Sequence, residues 1–163
     1  MAASDARRLT PATSLAAPVD EHRISVAFER VPEILEGLRA AGPYASVDQV
    51  LRSAVRLLGA MNEEHRAALL NVHPRIGADP AGLSAHSARE QGAEADAATR
   101  RELASLNDAY ELRFGFRCVV FVAGRSQEEL LPILRERLRR TRDEELATGI
   151  DEFLAIARDR LSR

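Results

Sequence analysis

The sequence predicts an all-α domain, and three observations carry that expectation. Apolar residues recur at helical spacing from Val31 to Leu161, and Ser, Thr or Asn residues stand ahead of most of those stretches as caps. The one β-branched run, Arg117-Cys-Val-Val-Phe-Val122, has no second strand to pair with, and an unpaired buried strand would leave its backbone groups unsatisfied. The 163 residues suit one domain, because domains usually hold about 100–150 residues. The expected organisation is a flexible tail over residues 1–20, then a single compact domain over 21–163 with roughly seven or eight helices.

Taken in order, Val31, Ile34, Leu35 and Leu38 lie on one face of a helix that Gly42-Pro43 ends. Ser46 with Gln49 makes a capping-box pattern, and Val47, Val50, Leu51, Ala54, Val55 and Leu58 form the buried stripe behind it. A short helix starts at Asn62 and carries Leu69 and Leu70 inward. From Val72 to Leu83 the periodicity stops. His73-Pro74-Arg75-Ile76-Gly77, Asp79-Pro80 and Gly82 make an irregular segment there, since residues preceding proline avoid the helical region. Ser87-x-x-Glu90 is a further box, and Leu103, Leu106 and Tyr110 continue a helix from about residue 97 that ends near Phe114-Gly115. Arg117–Val122 is expected as a short helix or as an extended segment lining a pocket. Ser126 with Glu129 opens a helix carrying Leu130, Leu134 and Leu138. Thr141 with Glu144 opens the last one, carrying Leu146, Ile150, Phe153, Leu154, Ala157 and Leu161.

Composition narrows the chemistry. With 45% hydrophobic and 29% charged residues and no apolar run near the ~18 that cross a membrane, transmembrane and disordered classes are set aside. Basic and acidic residues nearly balance, 23 against 25, so no polyanion field points to nucleic acid. All the basic residues are Arg, which excludes a Schiff-base, pyridoxal-phosphate or phosphate-loop lysine. The single Cys118 can form neither an intrachain disulfide nor a thiolate zinc cage, which fits a reducing, cytoplasmic compartment. Residues 1–20 lack the apolar core of a secretory signal, and Leu161-Ser162-Arg163 is not a peroxisomal address.

Of the four histidines, His22 and His65 sit among charged neighbours and read as solvated. His73 stands where an apolar helix meets a Pro-restricted loop, so its imidazole is held. A capping role and a proton-transfer role are both open to it. Three readings are open at Glu90. It completes the capping box with Ser87; or it forms an acid–base pair with His73 inside a polar wall of Ser87 and Gln91; or it joins His86, four residues earlier on the same face, and His73 as a metal ligand.

With these segments in order, the chain resembles the 2-oxo-4-hydroxy-4-carboxy-5-ureidoimidazoline (OHCU) decarboxylases of urate degradation. The matching elements are His73-Pro74 opening a loop, Ser87-x-x-Glu90-Gln91, Leu106-Asn107-x-x-Tyr110-x-x-Arg113-Phe114-Gly115-Phe116, and Ile156-Ala157-x-x-Arg160-Leu161. They span about residues 70 to 163, and the His-Pro-Arg-Ile-Gly form of the first is similar to that of actinobacterial members. The resemblance implies an all-helical, usually homodimeric, cofactor-independent enzyme that makes (S)-allantoin and carbon dioxide. It implies His73 as the catalytic histidine, Glu90 as its acid–base partner, and Pro74, Ser87 and Gln91 as substrate contacts. By the same resemblance Arg160 matches the arginine of the terminal motif, and Cys118, Val119, Val120, Phe121 and Val122 form a pocket wall with backbone contacts to the ring. Where the family commonly reads Phe-Gly-Phe-Pro-Phe, this chain has Phe114-Gly115-Phe116-Arg117-Cys118, losing an aromatic and gaining a charge. The Trp-containing N-terminal pattern of many members is absent.

For this chemistry the expected roles are an ionised Glu90 that repels the substrate carboxylate or accepts the hydroxyl proton, and a His73 imidazolium that protonates one face of the enolate. N–H groups between Cys118 and Val122 with the Gln91 amide would stabilise developing charge, and the planar fork of Arg160 would hold a carboxylate or carbonyl. Two other classes compete. One is a metal-dependent hydrolase or lyase using His73, His86 and Glu90. The other is a helical interaction module docking through Arg135, Arg137, Arg139, Arg140 and Arg142, although the acidic residues between them are those of an ordinary solvated face.

Overall fold

The computed structural model describes residues 18–78 and 95–163, and among these residues the chain forms seven α-helices and no strand. α1 (Glu21–Ala27) is capped by Asp20, whose carboxylate accepts the Arg23 N–H at 2.8 Å. Periodicity does not mark it, because seven residues bury only Ile24 and Ala27. Val19, expected in the tail, is buried, and its N–H donates to Tyr44 O at 2.9 Å.

α2 (Pro32–Ala41) carries proline in its first turn, where the missing N–H costs no helical hydrogen bond, and buries Ile34 and Leu38. The Tyr44 hydroxyl donates to Leu38 O at 2.9 Å and ties the Gly42-Pro43 turn back onto the helix end. α3 (Val47–Ala60) is capped by Ser46, and Gln49 reaches back as expected, but to the N–H of Ala45 at 2.7 Å, one residue ahead of the cap. Its stripe is Val50, Leu51, Ala54 and Leu58, with Val47 partly buried. Val55 departs from the expected stripe and is 51% exposed. The helix turns about 100° per residue, which carries Val55 past the edge that Ala54 still occupies.

α4 (Glu63–Leu70) begins at the Asn62 cap, and α5 (Ala97–Phe114) begins at the Asp96 cap. Gly115 ends α5 with φ +80°, a left-handed conformation that favours glycine. α6 (Gln127–Arg137) and α7 (Arg142–Ser162) both start with the full reciprocal capping boxes of Ser126/Glu129 and Thr141/Glu144. α7 is the central element, packed against α1, α3, α4 and α5, while α6 lies on α5 and α2 on α1 and α3. At the α4–α7 crossing a Cβ on Gly149 would lie 2.6 Å from Leu70 Cδ1, so glycine is what lets the two helices approach. No helix of the described residues is long and apolar enough to cross a membrane.

Candidate active site

The loop after α4 is stitched to α5 before any chemistry is considered. The N–H of His73 returns to Leu70 O at 3.3 Å, and Pro74, which has no N–H, ends the helical pattern. Arg75 holds Glu111 with two bonds of 2.8 Å each and reaches Asp108 with a third at 2.8 Å. Buried Asn107 donates to Ile76 O at 2.9 Å and to Leu103 O at 2.8 Å. Gly77 sits at φ +77°, where a Cβ would lie 2.9 Å from Leu103 Cδ1. Arg117 closes the other side: its N–H donates to Asn71 Oδ1 at 2.8 Å, and its guanidinium donates to His73 O at 2.8 Å. The charge that departs from the family pattern thus braces the His73 loop.

The His73 ring stands edge-on to Phe153, with centroids 5.4 Å apart at 78°. Its Nε2 is sealed from solvent and has no hydrogen-bond partner among the described residues. Burial lowers its pKa from the usual 6.5 to about 4, helped by the positive charges of Arg160 and Arg30. The ring is therefore neutral at pH 7, and an imidazolium that protonates the enolate arises only after His73 has taken up a proton. A buried, unpaired ring nitrogen is unfavourable until a polar group meets it, which is the condition of a side chain waiting for a ligand.

His73, Pro74, Ile76, Cys118, Val119, Val120, Val122 and Ile156 line one small cleft. Its far wall is the extended segment 117–122, as the sequence suggested. Burial pushes the Cys118 thiol up to about 12, so this side chain is packing and not a nucleophile at neutral pH. Phe121 does not line the cleft, and its N–H is taken by Glu152 Oε2 at 2.6 Å; it is removed from the expected donors. The N–H groups of Cys118, Val119, Val120 and Val122 make no hydrogen bond among the described residues.

Arg160 lies buried near the end of α7, with Nη1 3.4 Å from Val26 O and 3.3 Å from Glu29 Oε1. It acts on His73 through its charge. Ser87, Glu90, Gln91 and His86 lie outside the described residues. Of the residues the sequence pointed to, His73, Pro74, Cys118, Val119, Val120 and Val122 come together in the cleft, whereas Phe121 and Arg160 do not line it.

Behind the wall lies a cluster that reading the sequence missed. Arg137 and Glu145, placed there on a solvated face, are 3% and 0% exposed. Arg137 Nε donates to Glu145 Oε2 at 2.7 Å, Nη1 to Val119 O at 2.6 Å and Nη2 to the Tyr110 hydroxyl at 3.3 Å; that hydroxyl in turn donates to Glu145. The rest of the basic run is engaged within the chain as well. Arg135 pairs with Glu102, Arg139 with Glu136, Arg140 with Glu145 and Arg142 with Glu63, which leaves no free basic stripe for docking. Tyr110 and Asn107 stand inside the motif that carried the resemblance, whereas the alternation of Arg with acidic neighbours hid Arg137 and Glu145.

The family model described as OHCU decarboxylase matches residues 14–162. A protein of Haloferax volcanii named 2-oxo-4-hydroxy-4-carboxy-5-ureidoimidazoline decarboxylase is 28% identical over 138 residues, covering 83% of this chain and 82% of that protein. The uric acid degradation bifunctional protein PucL of Bacillus subtilis is 30% identical over 139 residues, and there the match covers 83% of this chain but 28% of the longer protein. Among solved structures, an OHCU decarboxylase crystallised in the presence of (S)-allantoin superposes with a TM-score of 0.71 at 23% identity, covering 88% of this chain and 96% of that one. An (S)-allantoin synthase superposes with a TM-score of 0.65 at 19% identity, covering 87% of this chain and 48% of that one. At these identities the structural matches establish the fold.

Proposed function

The chain belongs to the OHCU decarboxylase family, and from that premise we propose that it is a carboxy-lyase. It converts 2-oxo-4-hydroxy-4-carboxy-5-ureidoimidazoline to (S)-allantoin and carbon dioxide in urate degradation. The observation that carries the reading is the neutral Nε2 of His73 in a cleft lined by Val120 and Val122, where neither Nε2 nor the N–H groups of those two residues have a partner among the described residues.

The carbon that loses its carboxylate also bears a hydroxyl and adjoins the ring C=N. When the C–C bond breaks, its electron pair enters that C=N system, carbon dioxide leaves, and the ring nitrogen takes a proton from solvent. Neutral His73 accepts the hydroxyl proton as the carbonyl forms and returns it to the neighbouring ring carbon. Protonation from one side sets the S configuration. Burial, helped by the charges of Arg160 and Arg30, lowers the His73 pKa and makes the transient imidazolium a strong acid, ready to give that proton back. Unpaired N–H groups of the wall would steady the charge on the ring, where loss of one donor typically costs about 2.7–4 kcal/mol in other enzymes.

In this reading Pro74, Ser87 and Gln91 contact substrate, Arg160 holds a carboxylate or carbonyl, and Glu90 is the acid–base partner of His73. The enzyme works without cofactor, as a cytoplasmic homodimer. The test generates the unstable substrate in place from urate with urate oxidase and 5-hydroxyisourate hydrolase, with and without chelator, and follows circular dichroism. Fast formation of the S enantiomer in both arms supports the reading. Racemic allantoin at the spontaneous rate overturns it, and activity lost only with chelator favours the metal site of His73, His86 and Glu90.

A further inference from the structure

The wall opposite His73 is held from behind by charged side chains, and the pattern of those holds determines where its amides point. Arg137 Nη1 binds the Val119 carbonyl at 2.6 Å. Arg125 binds the Phe121 carbonyl through Nη2 and the Val122 carbonyl through Nε at 2.9 Å. Neither peptide bond is cis, so in each planar unit the N–H points opposite to the carbonyl. Drawing Val119 O toward Arg137 therefore turns the Val120 N–H away from it, and drawing Phe121 O toward Arg125 turns the Val122 N–H away in the same manner. Val120 and Val122 both line the His73 cleft, and both N–H groups lack an acceptor among the described residues. The intervening Phe121 N–H is taken by Glu152 instead.

A buried ion pair is a weak source of stability, because apolar residues of similar volume often do as well. Arg137 and Glu145 are nonetheless buried at 3% and 0% exposure. What apolar residues could not supply is a directed bond to the Val119 carbonyl, and Glu145 and Tyr110 hold the guanidinium that makes it.

We propose that Arg137 and Arg125 are positioning residues for the reaction: by fixing the carbonyls of Val119 and Phe121 they aim the N–H groups of Val120 and Val122, two residues apart, at the substrate bound over His73. This rests on the decarboxylase reading. Donors aimed in advance at developing charge act on the transition state more than on the bound substrate, so their loss lowers kcat and leaves KM nearly unchanged.

Two variants of the full chain test this in the coupled assay beside the wild type. Arg137→Met/Glu145→Leu/Tyr110→Phe replaces the whole buried cluster with apolar groups, so that no buried charge is left unpaired; Arg140, which loses Glu145, is part-exposed. Arg125→Met acts at a partly exposed side chain and keeps the test alive if the first variant does not fold. We expect each folded variant to lose at least tenfold (Arg137) or several-fold (Arg125) in kcat with KM within twofold. Arg125→Lys should recover part of the loss, and the amide ¹H–¹⁵N signals of Val120 and Val122 should shift in the respective variants. A folded variant with wild-type kcat, or a loss confined to melting temperature, overturns the inference alone. An inactive wild type overturns the functional reading, and the catalytic role falls with it.

Discussion

On one side of segment 117–122 stands His73, neutral, with a nitrogen that has no hydrogen-bond partner among the described residues; on the other stand Arg137, Glu145 and Tyr110, charged or polar and bonded to one another and to the wall. Both regions hold buried polar atoms, and they handle polarity differently. Behind the wall Arg137, Tyr110 and Glu145 Oε2 bond to one another, and Glu145 Oε1, which accepts no hydrogen bond, faces Arg140 at 3.6 Å. In front, the His73 nitrogen and the N–H groups of Val120 and Val122 find no hydrogen-bond partner among the described residues. A buried polar group without a partner is costly. The contrast therefore locates the working face better than the abundance of charge does.

The largest expected break in this contrast is His73→Asn. General acid–base groups contribute about 10²–10⁴-fold, so turnover in the coupled assay should fall by that order while melting temperature holds. Retained turnover would deny His73 the proton transfer. Glu145→Leu alone should do the reverse. Leaving Arg137 buried without its partner is expected to lower stability by about 3–5 kcal/mol, read from denaturant midpoints, and a neutral result would show that the cluster is not tightly coupled. Asn107→Leu removes the donor to Ile76 O and Leu103 O. It should lower stability by about 1–3 kcal/mol, the usual loss for a buried group left unsatisfied, and loosen the His73 loop in hydrogen exchange.

The pH dependence sharpens the comparison from the front side. His73 has a folded pKa of about 4, below its ordinary 6.5. Between those values the unfolded chain binds the extra proton and the folded protein does not, so this residue's contribution to stability falls as pH drops from about 6.5 towards 4 and then levels off. The wild type should lose stability over that window relative to His73→Asn, in paired acid titrations. For the same reason the acid limb of kcat/KM assigned to His73 should lie near pH 4; a limb near 6.5 would mean that the ring is solvated. The smallest effect concerns Cys118. Its thiol is buried and held up to about 12, so iodoacetamide should label it only as the protein unfolds, which mass spectrometry reads directly.

Much of the fold was legible because its signals are local. Ser46, Asn62, Ser126 and Thr141 each cap the helix expected of them, and the capping boxes at Ser126 and Thr141 are complete. Val55 was misplaced because a stripe's edge depends on what packs against it, and α1 was missed because seven residues carry too little pattern. In the site, His73 and the 117–122 wall could be read from a Pro-restricted junction and an unpaired β-branched run. Glu152 and Arg125 could not, since nothing in their own neighbourhoods marks a side chain that binds backbone 31 or 4 residues away.

By itself, then, the sequence determined the helical class, most helix starts, the absence of lysine chemistry, and His73 as the residue to watch, because caps, periodicity and composition act over a few residues. Only the tertiary structure decided that His73 is neutral, that Arg117 braces its loop, that Arg137 and Glu145 are buried, and that Glu152 takes the Phe121 N–H. Those properties arise from burial and from bonds between segments far apart in the chain. The same Arg in the same alternating run is a solvated charge or a buried clamp according to what the other helices place over it.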